Sequence, residues 1–112
     1  MNTFPATLRT PRQTVFEGPV QACFVRAVDG DLGILAGHEP VVTALPPGRV
    51  RLKTAGGERL FVTGDAALDV AGGSLRVLAE FLVPVASARE AREQLQRYRQ
   101  WLAYAHTQSR QA

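Results

Sequence analysis

Carboxylates, glycines and a histidine crowd into one stretch of the chain, Val28-Asp29-Gly30-Asp31-Leu32-Gly33-Ile34-Leu35-Ala36-Gly37-His38-Glu39-Pro40. Such a mix invites two chemistries, a bound divalent metal or a cradled phosphate. A zinc or iron site needs further ligands at fixed spacing, and His38-Glu39 has none nearby in sequence; His106, the second histidine, lies far along the chain. Asp29 and Asp31 bring two carboxylates, too few for the roughly six to eight oxygens that calcium takes. The glycines are not followed by the Gly-Lys-Ser/Thr ending of a phosphate-binding loop. Cys23 is the single cysteine, which excludes an intramolecular disulfide, and its apolar neighbours make it a small core residue. Ser74 and Ser87 have no base and orienting partner near them in sequence. The expectation is no catalytic residue, no metal and no cofactor. Gly30 and Gly33 supply backbone freedom, and the stretch reads as an exposed contact loop with Asp31 and Leu32 at its tip. His38, after Gly37, is expected to brace a neighbouring loop.

The elements that would hold this loop are short apolar runs punctuated by glycine and proline from Thr3 to Ala79. Thr7–Thr10 stops at Pro11, and Thr14–Phe16 stops at Glu17-Gly18-Pro19. In Val20–Val28, Cys23, Val25 and Ala27 share one face, with Ala22 and Phe24 on the other. Val50, Leu52 and Thr54 alternate with Arg49, Arg51 and Lys53, a clean two-residue period. Short strands at this spacing, with no helical pattern between them, argue for an all-β sandwich or barrel.

After Pro84 the period changes. Ser87 and Glu90 form a capping box. Ala88, Ala91, Leu95, Tyr98, Leu102 and Ala105 then recur at steps of three and four, one apolar stripe on a helix that Trp101 widens. The helix is expected to end around His106, with a frayed tail to Ala112. Two units follow, a β domain over 1–84 and a helix with its tail over 85–112. A helix of this length is marginal alone in water, so it must dock on the sandwich, on another protein, or both.

The chain of 112 residues carries a net charge of +3. Eight basic and eight acidic residues balance through Ala86, and the excess lies beyond, where Arg89, Arg92, Arg97, Arg99 and Arg110 face only Glu90 and Glu93. No run approaches the ~20 apolar residues of a membrane-spanning helix. The first residues lack the basic and long apolar regions of a secretory signal, so a cytosolic protein is expected, with any membrane connection made through a partner.

Gly30-Asp31-Leu32-Gly33-Ile34 followed by Gly37-His38-Glu39-Pro40 resembles the G-[D/E]-L-G-I-x-x-G-H-x-P signature of the epsilon subunit of F-type ATP synthases. The likeness continues through Val41–Leu45, Pro47-Gly48, Val62-Thr63-Gly64, Leu68-Asp69-Val70 and Leu75–Glu80. It implies a mainly β fold, a sandwich of about ten strands followed here by a single C-terminal α-helix where the family has two. It also implies a non-catalytic rotor subunit of the central stalk that couples ion translocation to ATP synthesis or hydrolysis. The partners it implies are the gamma subunit, the polar loops of the c-ring and the alpha/beta catalytic subunits, on the cytoplasmic side of the bacterial inner membrane, peripheral and held there through the complex. Carried over by position, the c-ring contact is Asp29, Asp31, Leu32 and Ile34, the structural loop positions are Gly30, Gly33, Gly37, His38 and Pro40, and the gamma contact is Ala91, Leu95, Tyr98 and Leu102, unless that stripe packs on its own sandwich. The family's ATP-binding motif [I/L]-D-x-x-R-[A/S] is represented only by Arg92, because Arg89 stands where the acid belongs. ATP sensing is therefore not expected, and with one helix where the family has two, neither is inhibition by helix extension.

Two other classes compete. One is a small β-barrel that binds nucleic acid through the Arg-rich helix with Tyr98, Trp101 and Tyr104 as stacking platforms. A neutral body counts against it, and no nucleic-acid partner is expected. The other is a small β-fold enzyme, which needs a cluster of titratable groups that the sequence does not present.

Overall fold

The two-residue rhythm of Gly48–Thr54 becomes strand β6: Val50 and Leu52 are buried while Arg49, Arg51 and Lys53 face solvent. The same inside–outside alternation builds the rest of a computed structural model that describes residues 2–111. The strands before β6 are β1 (Phe4–Arg9), β2 (Thr14–Val20), β3 (Ala22–Ala27), β4 (Gly30–Leu35) and β5 (Val41–Leu45). After it come β7 (Gly57–Thr63), β8 (Ala66–Ala71), β9 (Ser74–Ala79), β10 (Leu82–Val85) and the helix α1 (Ala88–Gln111). They form two five-stranded sheets in the orders β2-β1-β9-β8-β5 and β10-β7-β6-β3-β4. All pairings are antiparallel except β1 with β9.

The inner faces meet in one core around Leu8, Ile34, Leu52, Phe61, Leu68 and Leu75, all fully buried. Each such side chain contributes about 1.5–3 kcal/mol by leaving water. Phe16 meets Phe61 edge to face, with ring centroids 6.0 Å apart.

Several boundaries differ from the sequence expectation. Glu17-Gly18-Pro19 is no turn: β2 runs through it to Val20. Proline lacks the amide that a central strand needs, but β2 and β10 are edge strands, which accommodate Pro19 and Pro84. The single run Val20–Val28 is in fact broken at Gln21, where the chain passes from one sheet to the other. Within β3 the alternation holds, with Cys23, Val25 and Ala27 inward and Phe24 outward. Gly30–Leu35 is not a loop but the edge strand β4, paired along its length with β3.

The helix starts as its capping box requires. Glu90 N donates to Ser87 Oγ at 3.1 Å, and the Glu90 carboxylate accepts from Ala86 N at 2.9 Å, one residue earlier than the usual reciprocal bond. The helix does not end at His106 but continues to Gln111; Ala112, the end of the expected frayed tail, lies outside the described residues. Its 24 residues span about 36 Å at 1.5 Å per residue, in a molecule measuring 53 × 28 × 27 Å.

Candidate functional site

The glycine-rich stretch is shaped by two backbone positions that a side chain would strain, Gly30 with φ +121° and Gly37 with φ +83°. Gly33 does different work from that expected of it. Its φ is not positive; a Cβ there would lie 3.4 Å from the Phe24 ring, so the glycine makes room for the side chain opposite it on β3. Val28 N donates to Ala44 O at 3.2 Å, which ties the turn before β4 to β5.

On this frame Asp29 and Asp31 are exposed and Leu32 is half-buried against the core rim. Asp31 accepts from Arg26 Nε at 3.2 Å, directly across the β3–β4 register. Both side chains are largely in water, 81% and 75% exposed, so the pair is worth about 0–1 kcal/mol and leaves the carboxylate accessible. Ile34, grouped with these residues on resemblance, is fully buried. Its position on β4 points it inward, so it anchors the strand and offers no surface. Leu35 and Val28, by contrast, are 59% and 62% exposed. His38 braces its own turn and not a neighbouring loop: its amide donates to Leu35 O at 3.1 Å, and Nδ1 lies 2.6 Å from Glu39 O. Pro40 is exposed just before β5.

The helical stripe divides in two. Ala91 and Leu95 are buried against Val62, with Leu60, Phe81, Val83 and Val85 around them, so they are packed on their own sandwich. Tyr98 stacks on Phe81 with centroids 4.9 Å apart, and Trp101 continues the stack at 6.4 Å. Gly64 is the seat of this ring. A Cβ there would fall 2.5 Å from Tyr98 Cζ and 3.0 Å from Cε1, an overlap that forces the Tyr98 ring to shift. Farther along, Trp101, Leu102 and Tyr104 are exposed, and Ala88, first in the expected stripe, is exposed as well. Arg92 is exposed, while Arg89 is held by Glu93 at 3.3 Å.

Among the described residues, no three His, Cys, Asp or Glu side chains stand together to hold a metal. Burial pushes the Cys23 thiol up to about 12, which keeps it protonated and unreactive. The Ser87 hydroxyl is used in the helix cap. What the geometry presents is contact chemistry: a carboxylate beside an apolar side chain on a braced edge strand, and an aromatic helix end. Tyr98, which the nucleic-acid reading needs as a stacking platform, has its ring against Phe81 already. Two features escape the sequence pattern. One is the fit of Gly64 to Tyr98, for which the lone glycine after Val62-Thr63 is the only trace; the other is the row of arginines around Phe24.

The model of the family described as ATP synthase, Delta/Epsilon chain, beta-sandwich domain, matches residues 3–85. The chain is 41% identical over 81 residues to the ATP synthase epsilon chain of Parvibaculum lavamentivorans, covering 70% of this chain and 61% of that one. It is 37% identical over 99 residues to that of Caldicellulosiruptor saccharolyticus, covering 88% of this chain and 67% of that one. It thus spans about three fifths to two thirds of the length of these relatives. A chain in the Euglena gracilis mitochondrial ATP synthase structure (OSCP/F1/c-ring) superposes with a TM-score of 0.70 at 25% identity, over 87% of this chain and 64% of that one. A chain in the Tetrahymena thermophila mitochondrial ATP synthase central stalk/c-ring structure shares the fold, with a TM-score of 0.60 at 17% identity over 70% of this chain and 64% of that one.

Proposed function

Because the chain belongs to the ATP synthase delta/epsilon β-sandwich family, we propose that it is a non-catalytic epsilon-type subunit of the central stalk of an F-type ATP synthase. The match across 3–85 carries this reading, since it covers both sheets in full. The subunit grips gamma and rests on the polar loops of the c-ring, near enough to the alpha/beta catalytic subunits to share their assembly. In this way it helps couple ion translocation to ATP synthesis or hydrolysis. It sits on the cytoplasmic side of a bacterial inner membrane as a peripheral component. That no helix among the described residues is long and apolar enough to cross a membrane agrees with attachment through the complex.

Asp29, Asp31 and Leu32 form the c-ring contact on this reading. An exposed carboxylate pairs with basic loop residues while the adjacent leucine packs, which gives register to a modest interface. Ile34 supports them from inside the core. The gamma contact falls to the distal helix at Leu102, because Ala91 and Leu95 are already buried and Tyr98 is half-buried in its stack.

Asp31→Lys tests the contact. Because the Arg26–Asp31 pair is exposed, the sandwich should lose no more than about 1 kcal/mol of stability. The reconstituted synthase should nevertheless pump fewer ions per ATP hydrolysed. An unchanged pumping ratio would remove Asp31 from the interface.

A further inference from the structure

Helix α1 covers only half of the outer face of the second sheet. It lies on β10 and β7, where Val62, Leu60, Val83 and Val85 meet Ala91 and Leu95. Beside it, over β6, β3 and β4, an open groove of about 790 Å³ runs between helix and sheet. Its floor is apolar, with Phe24, Leu60 and Leu95, and Gly33 supplies no side chain to block it. Its walls are mostly basic, with Arg26, Arg49 and Arg51 from the sheet and Arg99 from the helix, and Asp31 is the one acidic side chain that lines it.

The charges on this face are out of balance. Asp31 pairs with Arg26 at 3.2 Å and Glu58 with Arg51 at 3.4 Å. Among the described residues, Arg49 and Arg99 have no acidic partner within ion-pair distance. Arg26 and Arg49 lie one residue beyond the Val25–Val50 pair that ends the β3–β6 register. Arg51 holds its guanidinium over the Phe24 ring, 4.6 Å from the centroid, which keeps a cation at the middle of the floor.

From this we infer that the groove binds an acidic amphipathic helix of another chain. Carboxylates on one side of that helix pair with Arg49 on the sheet wall, and those on the other side with Arg99 on the helix wall. Its apolar stripe settles on Phe24. A helix can present an apolar stripe flanked on both sides by charge, the pattern of this groove in complement. Arginine forks suit carboxylates because two parallel hydrogen bonds form to one group. Asp31 and Leu32, assigned above to the c-ring contact, lie at the rim of the same groove; the pairing with Arg49 and Arg99 is argued apart from that contact, and the test leaves both residues in place.

The probe is a synthetic peptide of roughly five helical turns carrying a leucine stripe flanked by glutamates, labelled for fluorescence anisotropy. The control replaces every glutamate by lysine. The glutamate peptide should bind the full chain saturably, weaken as salt rises, and shift the amide resonances of Phe24, Gly33, Arg49 and Arg51. Arg49→Glu with Arg99→Glu should weaken binding by about tenfold or more, through lost pairing and new repulsion. Phe24→Ala should weaken it by about threefold to tenfold by removing the apolar floor. All three positions are on the surface, so thermal melting confirms that the variants fold. No saturable binding, equal binding of the lysine peptide, equal binding by the folded Arg49/Arg99 variant, or shifts confined to another face would overturn the inference. So would displacement of the peptide by inorganic polyphosphate at lower concentration, which would make this a phosphate site.

Discussion

Replacing Gly64 by alanine should loosen α1 while leaving the sandwich folded. Gly64 has no positive φ, so alanine brings no backbone strain there. By restricting the unfolded chain it would ordinarily stabilise by about 0.4–1 kcal/mol. The space is the obstacle, since the new methyl would sit 2.5 Å from Tyr98 Cζ. The new methyl therefore drives the ring out of its place between Phe81 and Trp101. An aromatic side chain buries about 150–250 Å² when packed. Losing about 100 Å² from half-buried Tyr98 costs about 2.5 kcal/mol at ~25 cal/mol per Å². The broken stack with Phe81 adds about 0.5–1.5 kcal/mol. The unfolded-state gain acts on global unfolding and not on this equilibrium, so the docking of α1 should weaken by about 3–4 kcal/mol, roughly 150- to 900-fold. Native-state hydrogen exchange reads this directly: amides from Ala91 to Tyr98 should exchange faster by that factor, while those of Leu52 and Leu68 change much less. In a Tyr98→Ala background the same substitution should be neutral or mildly stabilising. Unchanged exchange in α1, equal acceleration of helix and core, or a full penalty without Tyr98 would refute the reasoning.

Two further outcomes follow from the geometry. Isothermal calorimetry with millimolar ATP should give no saturable heat, because Arg92 is exposed and Arg89, standing where the family has an acid, is engaged with Glu93; saturable binding lost in Arg92→Ala would overturn this. Cys23 makes stability depend on alkali: its folded value near 12 lies above the 9.0 of a free thiol, so the unfolded chain releases its proton first. The stabilising contribution is therefore complete below about pH 8 and is lost as pH rises through that window. The denaturation midpoint should fall more steeply between pH 9 and 12 in the native chain than in Cys23→Ala, whereas parallel curves would mean the thiol is not desolvated.

What could be read in the sequence was what is encoded locally. The alternation of Arg49–Thr54 gives strand and face together, and Ser87 with Glu90 marks a helix start, because both depend on residues a few positions apart. The spacing of Ala91, Leu95 and Tyr98 likewise gives the docked face of α1. Pairing between distant segments leaves no such trace. The parallel contact of β1 with β9, the sheet change at Gln21 and the edge position that admits Pro19 depend on topology. β4 resembled a loop because an edge strand with one wholly buried side chain, Ile34, and two glycines has almost no apolar rhythm. At the candidate site, exposure of Asp31 was legible from its glycine neighbours, but its pairing with Arg26 was not. The seat of Tyr98 on Gly64 joins residues 34 positions apart and is a matter of tenths of an ångström.

Co-purification tests the central claim most directly. The native complex would be extracted under mild detergent through an affinity tag on this chain and its composition read by mass spectrometry. A central-stalk subunit should bring gamma and the c-ring with it in stoichiometric amounts. Emergence of the chain free of every ATP synthase subunit would contradict the proposed function.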